Sequence, residues 1–107
     1  MQLLTNELRR TLPPLGAAEN PHVVAMARVK FFTPDSSWTW FASEFDGHDT
    51  FYGLVDGLEL EFGSFSLREL QAVRGHLGLP VERDRYFTPQ PLGTLHEELH
   101  RARVADY

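Results

Sequence analysis

The sequence contains no cysteine. Disulfides, thiolate metal sites and cysteine nucleophiles are therefore excluded. Small secreted domains commonly depend on disulfides, so a reducing cytoplasm is the expected location. There is no apolar run near the roughly 20 residues that a membrane span needs. The N-terminal stretch interrupts its apolar pattern with Glu7, Arg9 and Arg10, unlike the apolar segment of a signal peptide. Basic residues are few and scattered: nine Arg and one Lys against fifteen acids, with a net charge of −5. No electrostatic footprint for nucleic acid is visible. The acidic balance favours a protein or small-molecule partner. G-x-S-x-G, P-loop and dinucleotide fingerprints are absent as well, and no cofactor is implied.

What is present is ordinary globular composition, 42% hydrophobic and 23% charged over 107 residues, which suits one domain spanning residues 1–107. Eight Phe, three Tyr and two Trp make its core or a binding groove rich in rings.

Local signals order the chain as α-β-β-β-β-α-β-α. Thr5 caps a first helix that carries Leu4, Leu8 and Leu12 at helical spacing, and Pro13-Pro14 stop it. His22 to Phe32 reads as a strand, with Val23, Ala25, Ala27, Val29 and Phe31 on one face. Pro34 and Asp35 mark a turn. Strands follow over Trp38–Phe45, Thr50–Val55 and Leu58–Phe65, divided by Asp46-Gly47 and by Asp56-Gly57, a hairpin signal in which Gly takes positive φ. Ser66 and Glu69 form a capping box for a second helix that buries Leu67, Leu70, Val73 and Leu77. Val81–Phe87 is a short strand whose Arg83, Asp84 and Arg85 guard a sheet edge. A second capping box, Thr94 with Glu97, opens a third helix that docks through Leu95, Leu99 and Ala102.

Alternation in the second strand places Trp38 and Trp40 on one face, Phe41 and Phe45 on the other. A sheet with one wet face does not carry large rings on both sides. Either both faces are covered or the sheet curls around a ring-lined groove. The fold expected is α+β: a curved antiparallel β-meander or half-open barrel of about five strands with three helices.

Several stretches carry a resemblance: Leu3-Leu4-Thr5, Leu12-Pro13-Pro14, Lys30-Phe31-Phe32-Thr33-Pro34, Trp38-Thr39-Trp40 and Glu44-Phe45-Asp46-Gly47. Others are Asp49 to Val55, Gly63 to Leu67, Leu79 to Asp84 and Tyr86-Phe87-Thr88-Pro89. With these motifs the chain resembles the domain-of-unknown-function family 2958, small bacterial proteins often encoded on plasmids and conjugative elements. The resemblance covers residues 3–95, with a C-terminal helix and tail at 96–107 beyond it. It implies a mobile-element setting and a cytoplasmic location, and brings no catalytic residue with it.

Three clusters are candidate sites. His96-Glu97-Glu98-Leu99-His100 matches H-E-x-x-H, in which two His one turn apart can ligate zinc while the Glu serves as general base. That reading gives a zinc-dependent hydrolase. Against it, Glu97 and Glu98 suit the positive end of the helix, Arg101 and Arg103 the negative end, and Glu97 pairs with Arg101 at i, i+4. Glu44, Asp46, His48 and Asp49 form an oxygen-rich group, but Asp and Gly are also what the turn itself requires. The aromatic set includes Phe32, Trp38, Trp40, Phe41, Phe51, Tyr52, Phe62 and Phe65. Trp38, Trp40 and Tyr52, rimmed by Arg28 and Lys30, are the groove residues expected, since Trp is enriched in binding hot spots. The leading expectation is a non-enzymatic binding module for a protein partner or small ligand. The zinc hydrolase is one alternative, and an acidic DNA mimic that blunts restriction is another.

Overall fold

A computed structural model describes residues 2–20 and 22–105. Helix α1 spans Asn6–Thr11, and the Thr5 side chain accepts from the Leu8 amide as the cap. The strands are β1 (Met26–Ala27), β2 (Val29–Phe32), β3 (Thr39–Phe45), β4 (Thr50–Asp56) and β5 (Leu60–Ser66). Helix α2 (Leu67–Ala72), strands β6 (Glu82–Arg83) and β7 (Gln90–Pro91) and helix α3 (Leu92–Ala105) complete the chain. The main sheet is antiparallel and open, in the order β5-β4-β3-β2-β6, and β1 pairs with β7 separately. The α+β class and the meander are as the sequence predicts.

Both faces of this sheet are covered. On the first face, Val29, Phe31, Trp40, Ala42, Phe45 and Phe51 pack under Leu3, Leu4 and Leu12 of the N-terminal segment, Leu67 and Leu70 of α2, and Val81. On the second, Phe41 and Leu54 pack against Ala27 of β1 and the preceding Ala25, and against Leu92 and Leu95 of α3. Rings on both sides of β3 are thus accounted for by two cores.

Phe45 departs from the expected alternation. It joins Trp40 on the first face rather than Phe41 on the second. The register of β3 against β4 shifts between Ala42 and Glu44, so Ser43 is an inserted residue. One extra residue in a period-two strand exchanges the faces of everything beyond it. Opposite the bulge, a Cβ on Gly53 would overlap the Phe41 carbonyl, so only glycine fits there.

The expected strand from His22 to Phe32 is interrupted. Its first residues form a turn, Val23 and Val24 are exposed, and β1 and β2 are separated at Arg28. Ala25 and Ala27 then serve the second face, Val29 and Phe31 the first. Helix α3 begins at Leu92, which puts Thr94 inside it rather than at its cap. The reason is tertiary: the Leu92 and Gly93 amides donate to the carbonyls of Ala25 and Val23, so these free N–H groups of the first turn need no capping side chain. Ala102 is exposed, while Arg103 reaches from α3 to Asp56 and to the carbonyls of Gly57 and Leu58.

Helix α2 also ends sooner than predicted. Ser66 caps it by accepting from the Glu69 amide, but it stops at Ala72 and Leu77 is 82% exposed. The Leu77 and Leu79 amides donate instead to Asp35, drawing the chain out of the helix. The predicted strand Val81–Phe87 is reduced to β6, paired with β2.

Candidate functional site

Where α2 stops, cover over the first face stops too. The gap is a cleft of about 390 Å³ lined by Thr33, Ser36, Trp38, Trp40, Val73, Arg74, Gly75 and His76. That size is at the small end of ligand sites, which run from about 300 to 1,000 Å³.

One wall comes from the connection between β2 and β3. The buried Thr33 closes it: its hydroxyl accepts from the Trp38 amide and donates to the Trp38 carbonyl, and its own amide donates to the same carbonyl. Trp38 is thereby fixed beside Trp40, with ring centroids 5.8 Å apart and planes at 32°. Trp40 is buried at 6% exposure between Phe31 and Val55 of the neighbouring strands. Trp38 is half-buried and is the ring available at the mouth.

The other wall is Val73 to His76. Arg74 bridges to Pro80, and between them the Gly75 amide donates to the Leu79 carbonyl while Gly78 turns the chain at φ 82°. Asp35 staples the two walls. Its Oδ2 accepts from the Leu77 amide at 2.6 Å and the Leu79 amide at 3.2 Å. Its Oδ1 has no hydrogen-bond partner among the described residues and rests on Gly75, where any Cβ would overlap the carboxylate. Burial pulls the Asp35 pKa upward, but the Leu77 and Leu79 amides outweigh it and hold the carboxyl below its ordinary value. The Asp35 staple is therefore ionised at neutral pH.

The expected groove residues divide between the faces. Trp38 and Trp40 meet in the cleft. Tyr52 lies on the second face, where its hydroxyl is 2.7 Å from His22 Nδ1. Burial, then the nearby Glu44 carboxylate, push the Tyr52 pKa up, so it keeps its proton. Lys30 also serves that face, above the Phe41 ring and 3.7 Å from Asp84. Arg28 lines a separate hollow with Ser43 and Glu44. The second wall of the cleft is not legible in the sequence pattern, which carries the second helix on through Val73 to Leu77, whereas the helix ends at Ala72.

The H-E-x-x-H residues do not assemble a zinc centre. His96 and His100 are parallel, with centroids 6.1 Å apart, but the other histidine nearby is shut out. Phe62 stands between, stacked on His96 at 4.9 Å and met edge-on by His22 at 4.7 Å. Glu97 pairs with Arg101 at 3.6 Å. Among the described residues no group of three His, Asp or Glu is placed to hold a metal.

The oxygen-rich turn is spent internally. Asp46 Oδ1 accepts from the amides of His48, Asp49 and Thr50. Asp49 accepts from the Ser66 hydroxyl and the Arg68 amide. Glu44, buried at 3% exposure, accepts from the Gly16 and Ala18 amides. With Asp35 on its two amides, Asp56 on Arg103 and Asp84 on Lys30, every described aspartate is engaged within the chain.

Fold and site together define an α+β domain with a sheet enclosed on both faces and an aromatic cleft at the end of one of them. The chain matches the family described as a protein of unknown function, DUF2958, over residues 3–106, and belongs to it. The match includes α3, which the resemblance in the sequence had left outside. No curated protein and no solved structure matches the chain. Among the described residues no helix is long and apolar enough to cross a membrane.

Proposed function

We propose that the chain is a non-enzymatic binding module, working in a mobile-element setting, that takes a small ligand or one side chain of a protein partner in the Trp38 cleft. The observation that carries this reading is the half-buried Trp38 ring at the mouth of a cleft whose walls are fastened by Asp35. A pre-formed concave site with an aromatic floor binds planar groups at low ordering cost. Arg74 and His76 on the far wall add hydrogen-bond donors. The complement is a flat ring bearing a carboxylate or phosphate at its edge.

The test is an amide and indole NMR titration with a library of aromatic carboxylates and aryl phosphates. The reading expects one or more compounds to shift the Trp38 indole N–H together with the Arg74, Gly75 and His76 amides. It also expects Arg74→Ala to weaken that binding about tenfold or more, as loss of a charged hydrogen bond does. Perturbations confined to other regions, or none at all, would overturn it.

A further inference from the structure

We propose that β5 is a dimerisation edge, where a second copy of this chain continues the sheet. The proposal does not depend on the cleft. Strand β5 is a seven-residue sheet edge, bonded only to β4 among the described residues. The Leu67 amide donates to the Asp49 carbonyl and the Glu59 carbonyl accepts from the Gly57 amide. Backbone groups alternate in direction along a strand, so Glu61, Gly63 and Phe65 face β4, while Leu60, Phe62, Ser64 and Ser66 turn their N–H and C=O groups outward.

Exposed edges of this length are normally blunted by proline, lysine, a bulge or brevity. Strand β5 has none of these devices, and its single charge is Glu61. The opposite edge has them: β6 is two residues long, both charged. A head-to-tail contact of β5 with β6 would therefore be too short to hold. Two β5 strands meeting antiparallel close the contact on itself around a two-fold axis.

The register follows from parity. Centring the axis on Gly63 makes Phe62 and Ser64 of one copy face Ser64 and Phe62 of the other, and Leu60 face Ser66. All of these are outward-bonding residues. The acids Glu59 and Glu61 at the start of the strand then lie toward Arg68, which follows the end of the strand in the second copy. Parallel pairing would instead put like charges together. Gly63 gains a reason in this arrangement. Its φ is not positive, and a Cβ there would meet nothing within 4 Å among the described residues, so nothing among them requires glycine. Glycine within a strand often marks close approach of another backbone, and here it would lie on the axis, facing its own copy.

The experiment uses the full chain at concentrations from micromolar to sub-millimolar. Sedimentation equilibrium should show a mass rising from 12.2 kDa to twice that value. Ser64→Pro deletes an outward N–H and leaves the bonds to β4 in place, so it should stay monomeric with an unchanged near-ultraviolet spectrum. If that variant misfolds, amide exchange on the natural sequence decides. The Phe62 and Ser64 amides should become protected as concentration rises, while Gly63 and Phe65 are protected throughout. A wild-type chain that stays monomeric overturns the proposal, as do Phe62 and Ser64 amides that exchange fast at every concentration, or a folded Ser64→Pro chain that still dimerises.

Discussion

The ring of Trp38 lies on the Cα of Gly57: a Cβ at that glycine would fall within 2.6 Å of three ring carbons. Gly57 does not adopt positive φ, so the glycine of this Asp-Gly pair is needed for the space the indole takes and not for a left-handed turn. Gly57→Ala should push the indole toward the cleft and cost about 1–3 kcal/mol, as overpacking does. Chemical denaturation measures the loss. A red-shifted tryptophan emission would report the ring moving into water, and an unchanged spectrum with unchanged stability would refute the contact.

Gly75 and Asp35 hold the cleft together in the same manner. Gly75→Ala places a methyl where the Asp35 carboxylate now rests. The Leu77 and Leu79 amides should then lose their acceptor, and their hydrogen exchange should rise toward the rate of an open loop. Exchange that stays slow at both amides would mean that Asp35 is not the staple.

Three aspartates make the fold sensitive to acid. The His48, Asp49 and Thr50 amides hold the Asp46 carboxyl down against a smaller opposing effect of burial, and the Ser66 hydroxyl and Arg68 amide do the same for Asp49. Asp35 is lowered by its own two amides against burial. A folded pKa below the unfolded one, about 3.9 for Asp, gives stability that is present above that value and is lost as pH falls through the folded pKa. The melting temperature should thus be flat near neutrality and fall steeply below about pH 4. Asp46→Asn should lower it at pH 7 and make the acid limb shallower. An acid limb of unchanged slope would remove Asp46 from the explanation.

Phe51 is the centre of the first core. It is fully buried and packs on Phe65 at 5.2 Å, Phe45 at 4.6 Å and Phe31 at 5.5 Å. Phe51→Ala should cost about 3–5 kcal/mol, the range for emptying a buried phenyl site. Equilibrium unfolding in urea tests this, and a loss under about 1 kcal/mol would be at odds with so closed a core.

Zinc should leave the protein as it finds it. With Phe62 between His22 and His96, added zinc has two imidazoles and, among the described residues, no third ligand. The melting temperature should not rise with zinc, and His100→Ala should behave like the natural chain. A stoichiometric zinc complex that His100→Ala abolishes would reverse this conclusion.

The sequence was most legible where structure is local. The Thr5 and Ser66 caps, the Pro13-Pro14 stop and the β3–β4–β5 meander all rest on residues a few positions apart. Expectations failed where a distant group supplies a hydrogen bond. Asp35 takes the amides that would have prolonged α2, and the Val23 and Ala25 carbonyls take those that would have needed a cap at Thr94. The cleft was half legible for the same reason. Trp38 and Trp40 are neighbours at period two, whereas Val73 to His76 arrive from a remote part of the chain.

Ser43 gives β3 two reading frames. Up to Ala42 the even positions serve the first core, and from Phe45 the odd ones do. In a saturation scan of β3, tolerance to polar residues would not oscillate with one phase. It would skip a beat at Ser43, and deleting that single residue would restore one phase along the whole strand, since Ala42, Glu44 and Phe45 would then pair in regular register with Gly53, Tyr52 and Phe51, a change that no substitution could mimic.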